Sequence, residues 1–290
     1  MDLDNIKSKI IELTTQENYF AEGYANKLFS FMSEGRVYIL RLGFANVDKI
    51  YKYSFLFEDF FWRNIFILDS NTLIYEKING ITIQDKIKNV SKSEEEEIFF
   101  KLGEIYSQIH KIKYDFYFYN GIIFESWFEL IIYKVEEIRD SNNTLYIDKF
   151  IEIYSKRFRD YSPQLILVHG DFSVKNVVID VNNRYHIIDW NRFMIGDCLF
   201  DITNCLHRSF NRGRSNIEYD LMKTSFFKGY QMNSNLNFDE FINSDLYFCY
   251  LLYFNITSYS RRKDKLDIAS KRFETRINYI ISLLENGNPK

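Results

Sequence analysis

Proline, cysteine and histidine are all scarce in this chain, with 2, 3 and 4 copies in 290 residues. Three cysteines (Cys198, Cys205 and Cys249) are an odd number without metal-ligand spacing. That argues against a disulfide framework and points to a reducing cytoplasm. Four histidines are too few for a zinc hydrolase, which wants several nitrogen ligands around one ion. An excess of one charge is missing as well. The formal net charge is −3, so no basic surplus marks a nucleic-acid partner. No apolar run is long. The richest, Leu246 to Phe254, falls far short of the roughly 20 residues that span a bilayer. The opening MDLDNIKSKI lacks the apolar core of a secretory signal.

Aromatic residues are abundant, with 28 Phe and 22 Tyr. Lys, Asn and Ile are common too, and the mixture reads as the codon bias of an AT-rich genome. With 46% hydrophobic and 27% charged residues, the balance is that of a globular protein. At this length the chain can bury one large core or the cores of two lobes. No internal repeat or low-complexity linker divides it.

The most informative stretch is Leu165 to Asp201, LILVHGDFSVKNVVIDVNNRYHIIDWNRFMIGDCLFD. Its pattern predicts an apolar strand over 165–168 that runs into His169-Gly170-Asp171. A second strand follows Asn176 over 177–179, and a third over 185–188 delivers Asp189-Trp190. Asn182-Asn183 suits a tight turn between the last two, since Asn tolerates positive φ. Two carboxylates and a carboxamide would then stand on the ends of adjacent strands, a rigid frame for hard oxygen ligands. Phosphoryl transfer needs this set. One Asp accepts the proton of an attacking hydroxyl, while an Asn and a second Asp hold the magnesium ions on the nucleotide phosphates. The spacing repeats the protein-kinase loop H-R-D-x-x-x-x-N followed by D-F-G, with Gly for Arg and Trp for Phe. The other reading is a hairpin that carries incidental acids.

Upstream, Ile6, Ile10 and Leu13 fall on one face of a short helix over 4–13. Residues 18–31 place Gly23 and Asn26 between two strand-like pieces, and Arg36 to Leu42 follows as a third strand. A glycine in such a turn lets backbone amides approach a phosphate; it equally suits a plain hairpin. Arg41 can give a bidentate phosphate contact or alternate outward from Tyr38 and Leu40. Val47 to Phe66 reads as a buried helix. Its Glu58 either pairs with the strand-three cation or lies on a solvated face. Thr72 to Ile83 is a strand that ends in a turn at Asn79-Gly80. Ser93 with Glu96 forms a capping box for a helix to His110, with Ile98, Leu102, Ile105 and Ile109 as its stripe. His110 is a structural hydrogen-bonder or cap. Helices follow over 126–139, where Glu125 and Glu129 share a face, and over 144–161, stopped by Ser162-Pro163. Residues 199–284 read as helical around loops at 211–216 and 233–237.

The form H-G-D-x-x-x-x-N with I-D-W, carried by His169 to Asn176 and Ile188 to Trp190, resembles the aminoglycoside phosphotransferase and choline kinase superfamily. GYANKLFSF, GRVYILRL, the Tyr51-Lys52 pair, NGITIQD, LVHGDF, NVV and Met194 to Asp197 are similar to parts of hygromycin B phosphotransferases. The similarity runs in order through most of residues 20–210 and fades beyond. Gly196 to Asp201 resembles the family's G-D-P-x-x-D, with Cys198 in place of Pro. Asp201 is expected to hydrogen-bond the catalytic-loop backbone.

The resemblance implies an α+β, protein-kinase-like fold of two lobes. A small antiparallel-sheet N-lobe over 1–78 would bind nucleotide. After a hinge near residue 78, a mostly helical C-lobe over 79–290 would hold the catalytic loop, magnesium site and substrate cleft. The catalytic residues implied are Asp171, as general base, and His169, which props its loop. Asn176 and Asp189 would bind Mg2+. Gly23, Asn26 and Arg41 would hold the phosphates of ATP or GTP, with Tyr75, Glu76, Lys77 and Ile78 at the adenine edge. The expected acceptor is a cationic small molecule, an aminoglycoside or aminocyclitol antibiotic, and its phosphorylation would confer resistance. Acids of the large lobe would meet its ammonium groups: Glu125, Glu129, Asp197, Glu218, Asp220, Asp239, Glu240 and Asp245 are the candidates. A metabolic kinase of a choline-like or sugar alcohol is one alternative. A nucleotide-binding pseudokinase is another, against which the complete Asp171, Asn176 and Asp189 set argues. A cytoplasmic monomer or weak homo-oligomer without nucleic-acid or membrane partners is expected.

Overall fold

The computed structural model describes residues 21–22, 27–33, 35–42, 66–69, 72–190, 192–209, 216–261 and 268–286. Gly23, Asn26, Glu58, the helix expected over 4–13 and nearly all of that expected over 47–66 lie outside them.

In chain order the first strands are β1 (Ala21–Glu22), β2 (Lys27–Ser33), β3 (Arg36–Leu42), β4 (Phe66–Asp69), β5 (Thr72–Glu76) and β6 (Gly80–Thr82). A single turn, α1 (Ile83–Lys86), precedes α2 (Lys92–Ile109). Next come β7 (Tyr117–Tyr119), β8 (Ile122–Phe124), α3 (Trp127–Glu136) and α4 (Thr144–Phe158). The motif region holds β9 (Ile166–Val168), β10 (Val177–Asp180), β11 (Tyr185–Ile187) and β12 (Met194–Gly196). Five helices complete the described chain: α5 (Cys198–Ser209), α6 (Asn216–Gln231), α7 (Phe238–Ile242), α8 (Asp245–Ser260) and α9 (Ile268–Asn286). The chain divides into two compact units. One is drawn from Met1–Lys86 and Lys175–Asn191, the other from Ile87–Val174 and Arg192–Lys290.

The first unit contains an antiparallel sheet in the order β1-β2-β3-β5-β4. On one face of it Phe29, Phe31, Tyr38, Leu40 and Ile74 form a core. The period-2 alternation of a strand sends the next residues to the opposite face. There Ile39 pairs across with Tyr75, and Arg41 with Leu73. Arg41 is only 8% exposed, so the reading of it as an outward surface residue does not hold. A smaller sheet, ordered β11-β10-β6, completes this unit. Thr72 to Ile83 is therefore not one strand: β5 belongs to the first sheet, and β6 pairs with β10 in the second.

The second unit has a sheet in the order β8-β7-β12-β9. The three motif strands are thus not all neighbours, as their sequence suggested. Strand β9 pairs with β12, whereas β10 and β11 pair with each other. The chain leaves β9 through a short 3-10 turn, Val174–Asn176, before β10 begins. The core of this unit is aromatic, with Trp127, Phe150, Tyr154, Phe200 and Tyr250 almost wholly enclosed. Helix α8 contains the apolar run Leu246 to Phe254 and is buried on nearly all sides, as a helix apolar all round must be. No helix among the described residues is long and apolar enough to cross a membrane.

The cap of α2 lies two residues before the expected one. Ser91 accepts the Glu94 amide, and the Glu94 carboxylate accepts the Ser91 amide at 2.8 Å. This reciprocal pair satisfies two amides of the first turn; Ser93 and Glu96 lie inside the helix. The buried stripe is Ile98, Phe99, Leu102, Tyr106 and Ile109, while Ile105 is only half-buried. Helices α3 and α4 end three residues earlier than their patterns suggested, at Glu136 and Phe158. Helices α2 and α6 cross with their backbones in contact. A Cβ on Gly103 would lie 2.0 Å from the Phe226 carbonyl oxygen, and one on Gly229 would lie 1.9 Å from that of Phe100.

Candidate active site

In the second unit the chain leaves β9 and turns at Gly170, whose φ is +77°. A Cβ there would sit 2.0 Å from the Arg192 carbonyl oxygen. Glycine meets both the positive φ and the close approach. Two side chains of α5 hold this turn. Asp201, fully buried, accepts the His169 amide at 2.7 Å and the Gly170 amide at 3.0 Å. Asn204 donates its Nδ2 to the Gly170 carbonyl at 2.9 Å. The role expected of Asp201 is met. Asn204 was missed, although its place three residues on puts it on the same helical face.

His169 and Phe172 fix the loop from within. The Asp171 amide donates to His169 Nδ1 at 3.2 Å, so the imidazole is the tautomer that keeps its proton on Nε2. The His169 ring is completely enclosed. Phe172 stacks on Tyr106 of α2, with centroids 3.9 Å apart and planes 12° apart. Burial alone would raise the Asp201 carboxyl. The nearby His110, whose Nε2 is 3.6 Å away, holds it below the ordinary carboxylate range. An ionised Asp201 is the form that accepts two amides. His110 also meets the Tyr230 hydroxyl at 2.7 Å, in keeping with a structural role. Asp171 itself is largely buried.

In the first unit Asn176 and Asp189 sit at neighbouring ends of β10 and β11. The Ile188 amide donates to the Asn176 carbonyl at 2.9 Å, so the ladder fixes the two residues close together. Asp189 takes φ +66°, a left-handed conformation that Asp tolerates better than most residues. Next to it the buried Trp190 donates its indole N–H to the Ile187 carbonyl at 3.0 Å. Arg41 reaches Asp189 directly, Nη1 to Oδ1 at 3.0 Å. Burial pushes the Tyr75 hydroxyl up; Arg41 opposes that rise and Asp189 adds to it.

The carboxamide of Asn176 and the carboxylate of Asp189 are hard oxygen donors of the kind magnesium takes. Among the described residues no cluster of three or more His, Cys, Asp or Glu could hold a metal unaided. Magnesium keeps several waters and uses one or two protein carboxylates plus substrate phosphates, so this sparse donor set fits it. At the expected adenine edge the Lys77 amide is bonded to the Val37 carbonyl at 2.8 Å. The Glu76 side chain meets Arg36.

The acids proposed to meet a cationic acceptor fare differently. Asp197 is buried and structural, which removes it from that role. Its Oδ2 accepts Tyr250 at 2.7 Å and Tyr161 at 3.0 Å, and its Oδ1 accepts the Leu199 amide. Burial raises its carboxyl while these bonds oppose the rise. Glu129 accepts the Glu125 amide at 3.1 Å, at the head of α3. Glu125 stands before that helix, so the two do not share a helical face. Asp220 pairs with Lys223 and Asp245 with Arg157. Glu240 is tied to Asn237, the cap of α7. Asp239 is exposed. The Glu218 side chain lies outside the described residues.

The profile of the APH phosphotransferase enzyme family matches residues 63–230, more than half of the chain. The chain belongs to this family. His169, Asp171, Asn176, Asp189 and Asp201 all fall inside the match, and Arg41 lies before it. No curated protein matches the chain. Several solved structures share the family's kinase-like fold. One is a thermostable mutant of the aminoglycoside phosphotransferase APH(4)-Ia in ternary complex with ADP and hygromycin B. It is 19% identical with a TM-score of 0.65, over 97% of this chain and 99% of that one. The ethanolamine kinase of Plasmodium vivax is 18% identical with a TM-score of 0.63, over 95% and 87% of the two chains. The choline kinase LicA of Streptococcus pneumoniae is 16% identical with a TM-score of 0.60, over 94% and 98%. At such identities the shared property is the fold, and this phosphotransferase's acceptor must be argued from its own residues.

Proposed function

We propose that this phosphotransferase moves the γ-phosphoryl group of ATP or GTP to a hydroxyl of a small molecule. The acceptor oxygen attacks the γ-phosphorus, its proton passes to the Asp171 carboxylate, and the bond to the β-phosphate oxygen breaks to release the nucleoside diphosphate. The N-lobe, 1–78, holds the nucleotide, with Gly23, Asn26 and Arg41 at its phosphates and the Tyr75–Ile78 backbone at the adenine. Asn176 and Asp189 would hold a magnesium ion, which would neutralise charge on the phosphates. Within the C-lobe, 79–290, His169 positions Asp171 without touching the acceptor. The observation that carries this reading is the clamp of Asp201 and Asn204 on His169-Gly170. It holds rigid the one loop whose carboxylate the chemistry needs to aim.

For the acceptor the first reading is an aminoglycoside or aminocyclitol, with antibiotic resistance as the consequence. Its support is the motif resemblance and the fold shared with APH(4)-Ia. The second reading is a metabolic kinase of a small alcohol. It is favoured because most candidate acids of the large lobe already serve caps, tyrosines or ion pairs. Incubation with ATP or GTP and hygromycin B, other aminoglycosides, choline and sugars, read by mass spectrometry for a phosphate adduct, separates the two. An adduct on an aminoglycoside supports the first reading. Adducts only on choline or sugars sink it and leave the second. Nucleotide binding without any turnover would return the pseudokinase.

A further inference from the structure

Strand β12 lies between β7 and β9, with Met194 opposite both Tyr119 and Val168. The same end of this sheet therefore carries three things. Strand β9 leaves it into the Asp171 loop. Arg192 enters it, its carbonyl packed against Gly170. Tyr119 stands there just before a turn in which Asn120 and Gly121 both take positive φ. Helix α3 adds a cation at this end: Lys134 Nζ lies 3.5 Å from the centre of the Tyr119 ring.

Lys134 is only 6% exposed. Among the described residues no hydrogen bond or ion pair reaches its Nζ or the Arg192 guanidinium. A buried charge without a partner is costly, and the rings of Tyr119 and, at 5.8 Å, Phe200 offset that cost only in part. Burial first, then the nearby Arg192 and Arg261, lower the Lys134 pKa to about 7; Glu137 and Asp201 pull the other way from beyond ion-pair distance. Two cations without carboxylate partners thus stand beside the loop that aims Asp171. A polycationic acceptor would be repelled there, whereas an oxyanion would meet two donors and one aromatic wall.

We propose that Lys134 and Arg192 form an oxyanion subsite beside Asp171, and that the phosphoryl acceptor is an alcohol bearing a carboxylate or a phosphate ester. This rests on the phosphotransferase reading and selects the metabolic acceptor over the antibiotic one. The test is calorimetric titration of glycolate and of inorganic phosphate into the full chain, with and without saturating magnesium and AMP-PNP. Wild type should bind at least one of the two anions. Lys134→Met and Arg192→Gln should each weaken that binding at least about tenfold, the usual weight of one charge-assisted hydrogen bond. Tighter binding of glycolate assigns a carboxylate, and tighter binding of phosphate a phosphate ester. Wild type that binds neither anion, or two folded variants that bind as wild type does, overturns the subsite. Failure of AMP-PNP to bind would overturn the phosphotransferase reading instead, while the titration into nucleotide-free protein still reads on Lys134 and Arg192.

Discussion

Arg41 and Asp189 meet as an ion pair, with the guanidinium side chain almost enclosed and the carboxylate about one-third exposed. On the proposed mechanism these groups hold opposite ends of one problem, the phosphates and their metal. Arg41→Ala should then lose about 1.5–3 kcal/mol of nucleotide interaction, seen as a raised Michaelis constant for ATP or a lowered turnover. If both stayed at their wild-type values, Arg41 would be a structural partner of Asp189 and nothing more. The residue best read from the sequence was Asp201, whose expected bonds to the loop backbone depend on spacing along the chain. Those read poorly or missed depend on contacts across the fold. The approach of Arg41 to Asp189, the Asn204 bond to Gly170 and the seat of Lys134 on Tyr119 join residues far apart in sequence. Local pattern carries no trace of the first and last of these, and for Asn204 it offers only the helical spacing from Asp201.

At the scale of elements, periodicity located most helices and strands of the described chain. Strand β3 appears with the bounds its alternation predicts, and Asn183 takes the positive φ expected of its turn. Sheet membership was less legible. A three-residue strand such as β9 is uniformly buried, and nothing in such a run says which strand will lie beside it. Hence β9 seemed a neighbour of β10 when its partner is β12. The cap of α2 shows a different limit. Ser91 and Glu94 make the same Ser-x-x-Glu pattern as Ser93 and Glu96, and only the hydrogen bonds decide between them. The glycines at 103 and 229 carry no signal as a pair in the sequence, because their reason is the backbone contact of α2 with α6. That contact exists only once the helices cross.

Over the whole molecule Lys134 leaves a signature in the stability. Its folded pKa is about 7 against an ordinary 10.5. Between those values the unfolded chain binds one more proton than the folded one, so this group makes stability rise with pH across that window. Below about pH 7 both states are protonated and the cost of the buried ammonium is fully present. Lys134→Met removes that cost. The variant should be the more stable protein below pH 7, by on the order of a few kcal/mol, and the gap should close as pH approaches 10.5. Denaturant unfolding at several pH values reads it; a gap that does not change with pH would place the ammonium in water instead.

The central claim is that Asp171 takes the proton of an acceptor hydroxyl while other residues hold the nucleotide. Its most direct test compares wild type and Asp171→Ala by two readouts on the same samples: AMP-PNP affinity with magnesium, and phosphate-adduct formation on whichever acceptor the wild-type enzyme uses. Nucleotide affinity should be nearly unchanged and adduct formation should vanish. An Asp171→Ala variant that kept near-normal turnover would contradict the account.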